Sequence, residues 1–261
     1  MRSLSIAATG MLAQQLNVDV IANNISNMST TGFKRQRAEF QDLLYQNLRR
    51  VGSQSSDTGT IVPSGIQLGV GVKPTAVYRI TEQGSMTITD NSLDLAINGK
   101  GYFAVDLPTG ETGYTRAGSF QVNANGDLVT ADGYTVQPGI NIPGDATTIT
   151  VNVNGEIVVT QDGQVAAQTA GQIQLATFPN DAGLEAIGSN LLLETAASGN
   201  AVVATPGAPG FGTIEQGALE TSNVDVVSEM TNLITAQRAY EMNSRVIQAS
   251  DEMMQSVSQL R

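Results

Sequence analysis

The sequence predicts an α+β protein: long N- and C-terminal helices forming a coiled-coil core domain, with an inserted hairpin-rich antiparallel β domain. Three observations carry this. Apolar residues recur at helical, heptad-like spacing at both ends of the chain. Between about residues 66 and 211 the period changes to alternation, and Asn-Gly and Asp-Gly pairs punctuate that stretch.

The C-terminal run from Asn223 to Leu260 is the longest. Apolar residues fall at Val226, Met230, Leu233, Tyr240, Ile247, Met254 and Val257. Steps of three, four and seven put them on one helical face. Neither Pro nor Gly interrupts the run, and Ala236, Ala239 and Ala249 favour helix. Asn223 is the expected N-cap, with Asp225 and Glu229 in the first turns, where the helix dipole favours negative charge. A helix of roughly 38 residues is about 57 Å long. That exceeds a small domain, so its stripe needs cover from elsewhere.

The partner is expected at the other terminus. From Ser3 to about Met28, Leu4, Met11, Val18 and Ile25 recur every seventh residue. Ala7, Ile21 and Met28 fill companion positions, and Gln14 is the polar exception; this is a coiled-coil seam. The helix is expected to stop at Thr30-Thr31-Gly32, with Gly32 in the left-handed conformation that ends helices. Further apolar residues lie off both stripes: Leu12, Leu16, Val20, Ile234, Met242, Val246, Met253 and Leu260. Helices apolar on more than one face need more than one neighbour, which bundling or polymerisation supplies.

After Gly32, residues 33–48 keep helical spacing at Phe33, Phe40, Leu43, Leu44 and Leu48. A Ser/Gly/Thr-rich run over residues 49–59 reads as a loop or linker. Alternation then begins. Leu93, Leu95 and Ile97 precede the hairpin signal Asn98-Gly99, and Phe103 and Val105 follow it. Short strands at 120–122, 128–130 and 134–136 are separated by Asn125-Gly126 and Asp132-Gly133, pairs suited to type I′ turns. A weak repeat relates residues 125–133 to residues 154–163, predicting two similar hairpins in one domain. The expected division is 1–32 as the N-terminal core helix, 33–75 as a connector with an insertion at about 46–65, 76–210 as the β domain, 211–222 as a return connector and 223–261 as the C-terminal core helix.

Composition narrows the function. Hydrophobic residues make up 41 % of the 261, charged residues only 14 %, Gly is frequent and Trp absent, a profile of Gly-turned β structure. The net charge of −11 is uneven: residues 1–50 carry +3, residues 51–220 carry −12 and residues 221–261 carry −2. An acidic body repels phosphate backbones, so no nucleic-acid partner is expected. Lys34, Arg35 and Arg37 read as a solvated patch, with a contact to an acidic neighbouring subunit as the alternative. The absence of Cys excludes disulfide and thiol chemistry. No apolar run reaches the 18 residues of a membrane span. The best secretory h-region, Ile6 to Leu12, is short and broken by Thr9 and Gly10, so no cleaved signal peptide is expected.

Catalysis has little to work with. The chain has no His and no Cys, which removes the commonest general base and the usual zinc and iron ligands. Residues 123–127 read as a hairpin turn rather than a calcium loop, because the spaced ligands and terminal Glu are missing. Neither Gly69-Val70-Gly71 nor Asn98-Gly99-Lys100-Gly101 continues into a phosphate-binding pattern. No carboxylate pair stands out for glycan hydrolysis. No catalytic, cofactor-binding or metal-ligating residue is therefore expected, and assembly is the function that remains.

Three segments carry a family resemblance. Ile21-Ala22-Asn23-Asn24-Ile25-Ser26-Asn27, followed by Thr31-Gly32-Phe33-Lys34, resembles the N-terminal signature of bacterial flagellar rod and hook axial proteins. The run from Leu233 to Ser244, with Ala236, Gln237, Arg238 and Ala239 at its centre, resembles their C-terminal signature, and residues 93–103 resemble their β-domain motif. Gln54-Ser55-Ser56 with Pro63-Ser64-Gly65 points to the distal-rod branch. The resemblance implies a structural subunit that self-assembles into a helical tube, a drive shaft carrying motor torque to the hook, with the terminal helices inside and the β domain outside. Implied partners are further copies of the chain, proximal-rod proteins, the hook protein, the P-ring and L-ring proteins, and the flagellar type III export apparatus. The implied location is the basal-body rod, crossing the periplasm and outer membrane. A proximal-rod or hook subunit, or a rod-associated peptidoglycan hydrolase, are the alternatives. Asn23, Asn24 and Asn27 either make buried side-chain hydrogen bonds or end the helix.

Overall fold

A computed structural model describes residues 2–49, 64–161 and 167–259. The chain is α+β, with a helix near each terminus and antiparallel strands between them. It forms two compact units: Met1–Ile25, Gln36–Tyr78 and Asp225–Arg261 make up the first, Ser26–Arg35 and Arg79–Val224 the second.

The first unit holds α1 (Arg2–Ser26) and α2 (Val226–Gln259) with four strands, β1 (Gln36–Asp42), β2 (Tyr45–Arg49), β3 (Ile66–Gly69) and β4 (Val72–Arg79). α2 is capped by Asp225, whose Oδ1 accepts from Val227 N at 3.1 Å. The expected cap Asn223 is instead committed to the segment before β1, accepting from Arg35 N at 2.7 Å. The helical spacing of residues 33–48 does not produce a helix. Half-buried Gln36, Ala38 and Phe40 alternate with exposed Arg37, Glu39 and Gln41, the period of a strand. β1 pairs with β4, and β2 pairs antiparallel with β3. Gly71 lets β4 begin against α1: its φ is 132°, and a Cβ there would stand 2.2 Å from Thr9 Oγ1.

Among the described residues, the regular elements of the second unit are strands and one short 3-10 turn. β5 (Met86–Ile88) and β6 (Leu95–Asn98) are followed by β7 (Tyr102–Asp106), β8 (Thr112–Thr115), β9 (Phe120–Val122), β10 (Leu128–Thr130) and β11 (Thr135–Val136). A meander of β12 (Ala146–Val151), β13 (Glu156–Gln161) and β14 (Gln168–Gln172) comes next. Then come β15 (Leu175–Thr177), β16 (Glu185–Gly188), β17 (Leu191–Leu193), β18 (Val202–Ala204), β19 (Thr213–Gln216) and β20 (Ala218–Glu220). The main sheet runs β16-β17-β8-β7-β11-β10-β9, with β15 joining β7 to β18. β7 lies at its centre and is buried on both faces. Phe103 and Val105 point into a core with Leu95, Ile97, Phe120, Leu128 and Ile157; Tyr102 and Ala104 point into a second cluster with Tyr114, Phe178 and Leu184. Phe103 meets Phe120 edge to face at 5.0 Å.

The turns depart from expectation in a consistent way. In the Asn125-Gly126, Asp132-Gly133 and Asn154-Gly155 pairs only the glycine has positive φ, at 92°, 88° and 78°. A type I′ turn needs both residues there. Each is instead a type I turn closed by the glycine, whose N–H bonds three residues back, to Asn123, Thr130 and Asn152 in turn. The two repeat copies both start at such a glycine and run into the middle strand of a meander, β10 or β13; the last repeat residues, 162 and 163, lie outside the described residues. Asn98-Gly99 makes no hairpin, since β6 pairs with β19 and not with β7.

Candidate assembly site

α1 and α2 meet at small and polar side chains in three places. Ser250 Oγ donates to Ser3 Oγ at 3.3 Å, and Asn24 Nδ2 donates to Glu229 Oε2 at 3.4 Å. Between them, Gly10 faces the Asn243 amide, and a Cβ on Gly10 would come within 2.9 Å of Asn243 Nδ2. Ser3, Gly10 and Asn24 are separated by multiples of seven, as are Glu229, Asn243 and Ser250 in the opposite direction. Glu229, Ala236 and Ser250 are the deepest residues of α2, at 5 %, 2 % and 2 % exposure. Asn24 does more than face α2. Its Oδ1 accepts from Gln36 N and its Nδ2 donates to Gln36 O, both at 2.8 Å, so the amide stands in for a neighbouring strand at the start of β1. The choice left open for Asn24 thus resolves to a buried hydrogen-bonding role.

The stripe residues flank this row. Leu4, Met11, Val18, Ile25, Val226, Leu233, Ile247 and Met254 are half-buried, and Ile21 is buried. Met28, Met230 and Tyr240 are exposed, and the Val257 side chain lies outside the described residues. Of the motif residues, Asn24 and Ala236 are buried, Asn27, Gly32, Phe33 and Ala239 half-buried, and Ala22, Asn23, Gln237 and Arg238 exposed. Asn27 Oδ1 accepts from Thr30 Oγ1 at 3.1 Å, closing the turn after α1. Beyond the facing row, large apolar side chains point to solvent: Leu12 at 66 %, Val227 at 75 %, Met242 at 66 % and Met253 at 59 % exposure.

The second unit has a site of its own, built on Glu220. Lys34 is not the solvated cation expected from the sequence; it is 8 % exposed. Its Nζ donates to Glu220 Oε1 at 2.5 Å and to the Glu82 carbonyl at 2.8 Å. Arg116 Nε donates to the other carboxylate oxygen at 2.6 Å, and Gly84 N–H adds a bond at 2.8 Å. The guanidinium also fills the loop after β6, donating to the carbonyls of Ile97, Gly99 and Gly101. This explains why Asn98-Gly99-Lys100-Gly101 curls instead of forming a hairpin. Burial raises the Glu220 carboxyl, but Arg116, Lys34 and the Gly84 N–H outweigh it and leave it below its ordinary value. Burial lowers the Lys34 ammonium, and repulsion from Arg116 adds to this despite the bond to Glu220. Both shifts run downward, as expected where two cations share one buried carboxylate. Nothing in the sequence near Arg116 or Glu220 signalled the cluster, because its members are up to 186 residues apart.

Among the described residues no group of His, Cys, Asp and Glu is placed to hold a metal, and no helix is long and apolar enough to cross a membrane.

Comparison with known proteins agrees along the whole chain. Residues 4–34 match the family described as flagella basal body rod protein, residues 96–167 the flagellar hook protein FlgE/F/G D1 domain, and residues 215–260 the flagellar basal body rod FlgEFG protein C-terminal family. The chain is 65 % identical to the flagellar basal-body rod protein FlgG of Caulobacter vibrioides over 261 residues, all of both chains. It is 52 % identical to that of Agrobacterium fabrum, covering 99 % of this chain and 98 % of the other. With that of Bacillus subtilis it shares 39 % over 100 % and 99 %.

Proposed function

The chain belongs to the FlgG family of flagellar basal-body rod proteins, structural subunits and not enzymes, and on that premise we propose that it builds the distal part of the rod. Copies stack helically into a tube through the terminal helices, forming a coiled-coil core that carries motor torque to the hook. Its neighbours are further copies, proximal-rod proteins, the hook protein and the P- and L-ring proteins. It reaches its place across the periplasm and outer membrane through the flagellar type III export apparatus, without a cleaved signal peptide.

One observation supports this reading above others. The helices meet at small and polar groups in three places, while Leu12, Val227, Met242 and Met253 stand in solvent. Exposing such rows is costly, at about 25 cal/mol per Å² of apolar surface. Further copies of the same helices cover them with matching chemistry. The test is Met242→Glu. An already exposed side chain leaves the monomer folded, so circular dichroism should not change, while rods should fail to extend and motility should be lost. Straight rods of normal length in this variant would reject the assembly role of that face.

The insertion at about 46–65 is proposed to brace neighbouring copies against bending. Residues 50–63 of it lie outside the described residues. Deleting them should leave assembly intact but give curved or over-flexible rods in electron micrographs. Straight, stiff rods would make the segment a plain linker.

A further inference from the structure

The contacts between α1 and α2 contain an arrangement that stripe packing does not require. Three pairs meet: Ser3 with Ser250, Gly10 with Asn243 and Asn24 with Glu229. In each pair the two residue numbers add to the same total, so all three obey one antiparallel register. Only polar atoms or a missing side chain make these meetings. The apolar stripe is far less selective, because a heptad repeat is nearly indifferent to a slip of seven residues: Leu4, Met11, Val18 and Ile25 would meet the same kind of partner after such a slip. A polar pair is different. Displaced by one heptad so that Ser3 faces position 257, Asn24 would meet Ala236, Glu229 would lie beyond the end of α1, and Asn243 would leave the gap that Gly10 provides for it.

We propose that this row is a register lock: the Asn24–Glu229 hydrogen bond, with Gly10 admitting Asn243, fixes how far α2 slides along α1. The lock gives up apolar contact to do so. Asn24 is 1 % exposed and Glu229 5 % exposed, and each occupies a place that an apolar residue would fill with more hydrophobic gain. Asn24 extends the lock to β1, since the same amide holds both backbone groups of Gln36. The helices, and the strand that follows the first of them, are therefore set against one another by one side chain. The lock concerns a single chain and holds whether or not the subunit polymerises.

The absence of native cysteine makes the test clean. Ser3→Cys with Ser250→Cys places two sulfurs where hydroxyls are 3.3 Å apart, close enough for a disulfide of about 2.05 Å after a small shift. Ser3→Cys with Val257→Cys reports a slip of one heptad and leaves every residue of the lock in place. Oxidised as dilute full-length monomer, the first pair should cross-link within the chain at least tenfold more than the second. Introducing Glu229→Leu, and separately Asn24→Leu with Glu229→Leu, should bring the two yields within about threefold of each other, while helix content by circular dichroism holds or rises. Glu229→Gln, which retains an acceptor for Asn24, should preserve the native preference. A native preference unchanged in both leucine backgrounds overturns the lock, as does equal cross-linking of the two pairs in the otherwise unaltered chain. Loss of helix in the double variant is separated from loss of register by Glu229→Leu alone, which leaves the Asn24–Gln36 pair in place.

Discussion

Glu220 draws its partners from Lys34, Gly84 and Arg116, three places far apart in the chain, and its charge depends on all of them. Its carboxyl lies below the ordinary value of 4.5 in the folded protein, so the unfolded chain takes up the proton first as pH falls. The stability this provides is present above about pH 4.5 and is lost as the pH drops through the lower folded value. Denaturant titrations of the β unit should show a falling midpoint below pH 4.5, whereas Glu220→Gln should be weaker at pH 7 and nearly level through the same range. A wild-type protein as level as the variant would remove Glu220 from the acid response. At this scale the sequence is a poor guide. Lys34 stands beside Arg35 and Arg37, and a run of cations ordinarily lies in water; only a partner 186 residues away brings this one inside. Asn24 was legible as a motif residue, but its bonds to Gln36 were not, because an amide that hydrogen-bonds and an amide that ends a helix look alike in one dimension.

The helices and strands were more legible, because each follows a period. The C-terminal repeat predicted α2 to within three residues at its start, and the alternation of residues 93–105 predicted β6 and β7. Residues 33–48 failed for a definite reason. Five apolar residues happened to fit helical spacing, while the strand signal lay in the half-buried Gln36 and Ala38, which a hydrophobicity pattern passes over. Turn type failed because Asn-Gly suits both a type I′ turn and the end of a type I turn, and only the sign of φ at the first residue separates them. The facing row of α2 was hidden more deeply, since Glu229, Ala236 and Ser250 are not residues that mark a seam. Gly10 tests how much that row matters. Gly to Ala in a helix ordinarily gains about 1 kcal/mol. Here the new Cβ would press on the Asn243 amide, which must turn aside, so Gly10→Ala alone should gain less than that in thermal stability. In an Asn243→Ala background the same change should recover the full benefit. Equal gains in both backgrounds would show that the two side chains do not meet.

For the whole molecule, the sequence indicated a structural role through absence of chemistry and presence of unsatisfied apolar faces, and the FlgG relatives agree with it. What it did not reveal is how the β unit is closed. Its chain enters at Ser26, leaves after Arg35, re-enters at Arg79 and leaves again after Val224, and the first and last of these segments are fastened to each other. Gly32 N–H donates to the Glu220 carbonyl at 2.8 Å, Asn223 holds Arg35, and Lys34 holds the Glu220 carboxylate. Consider the unit as a mechanical part. Tension arriving along the chain at any of its crossings meets these fastenings first, because the re-entering segment is tied into them too: Asn223 Nδ2 donates to the Ile80 carbonyl and Lys34 Nζ to that of Glu82. The sheet beyond them hangs outside the load path, like a pendant on a closed ring. Its turns and strand lengths are therefore released from any duty to bear strain.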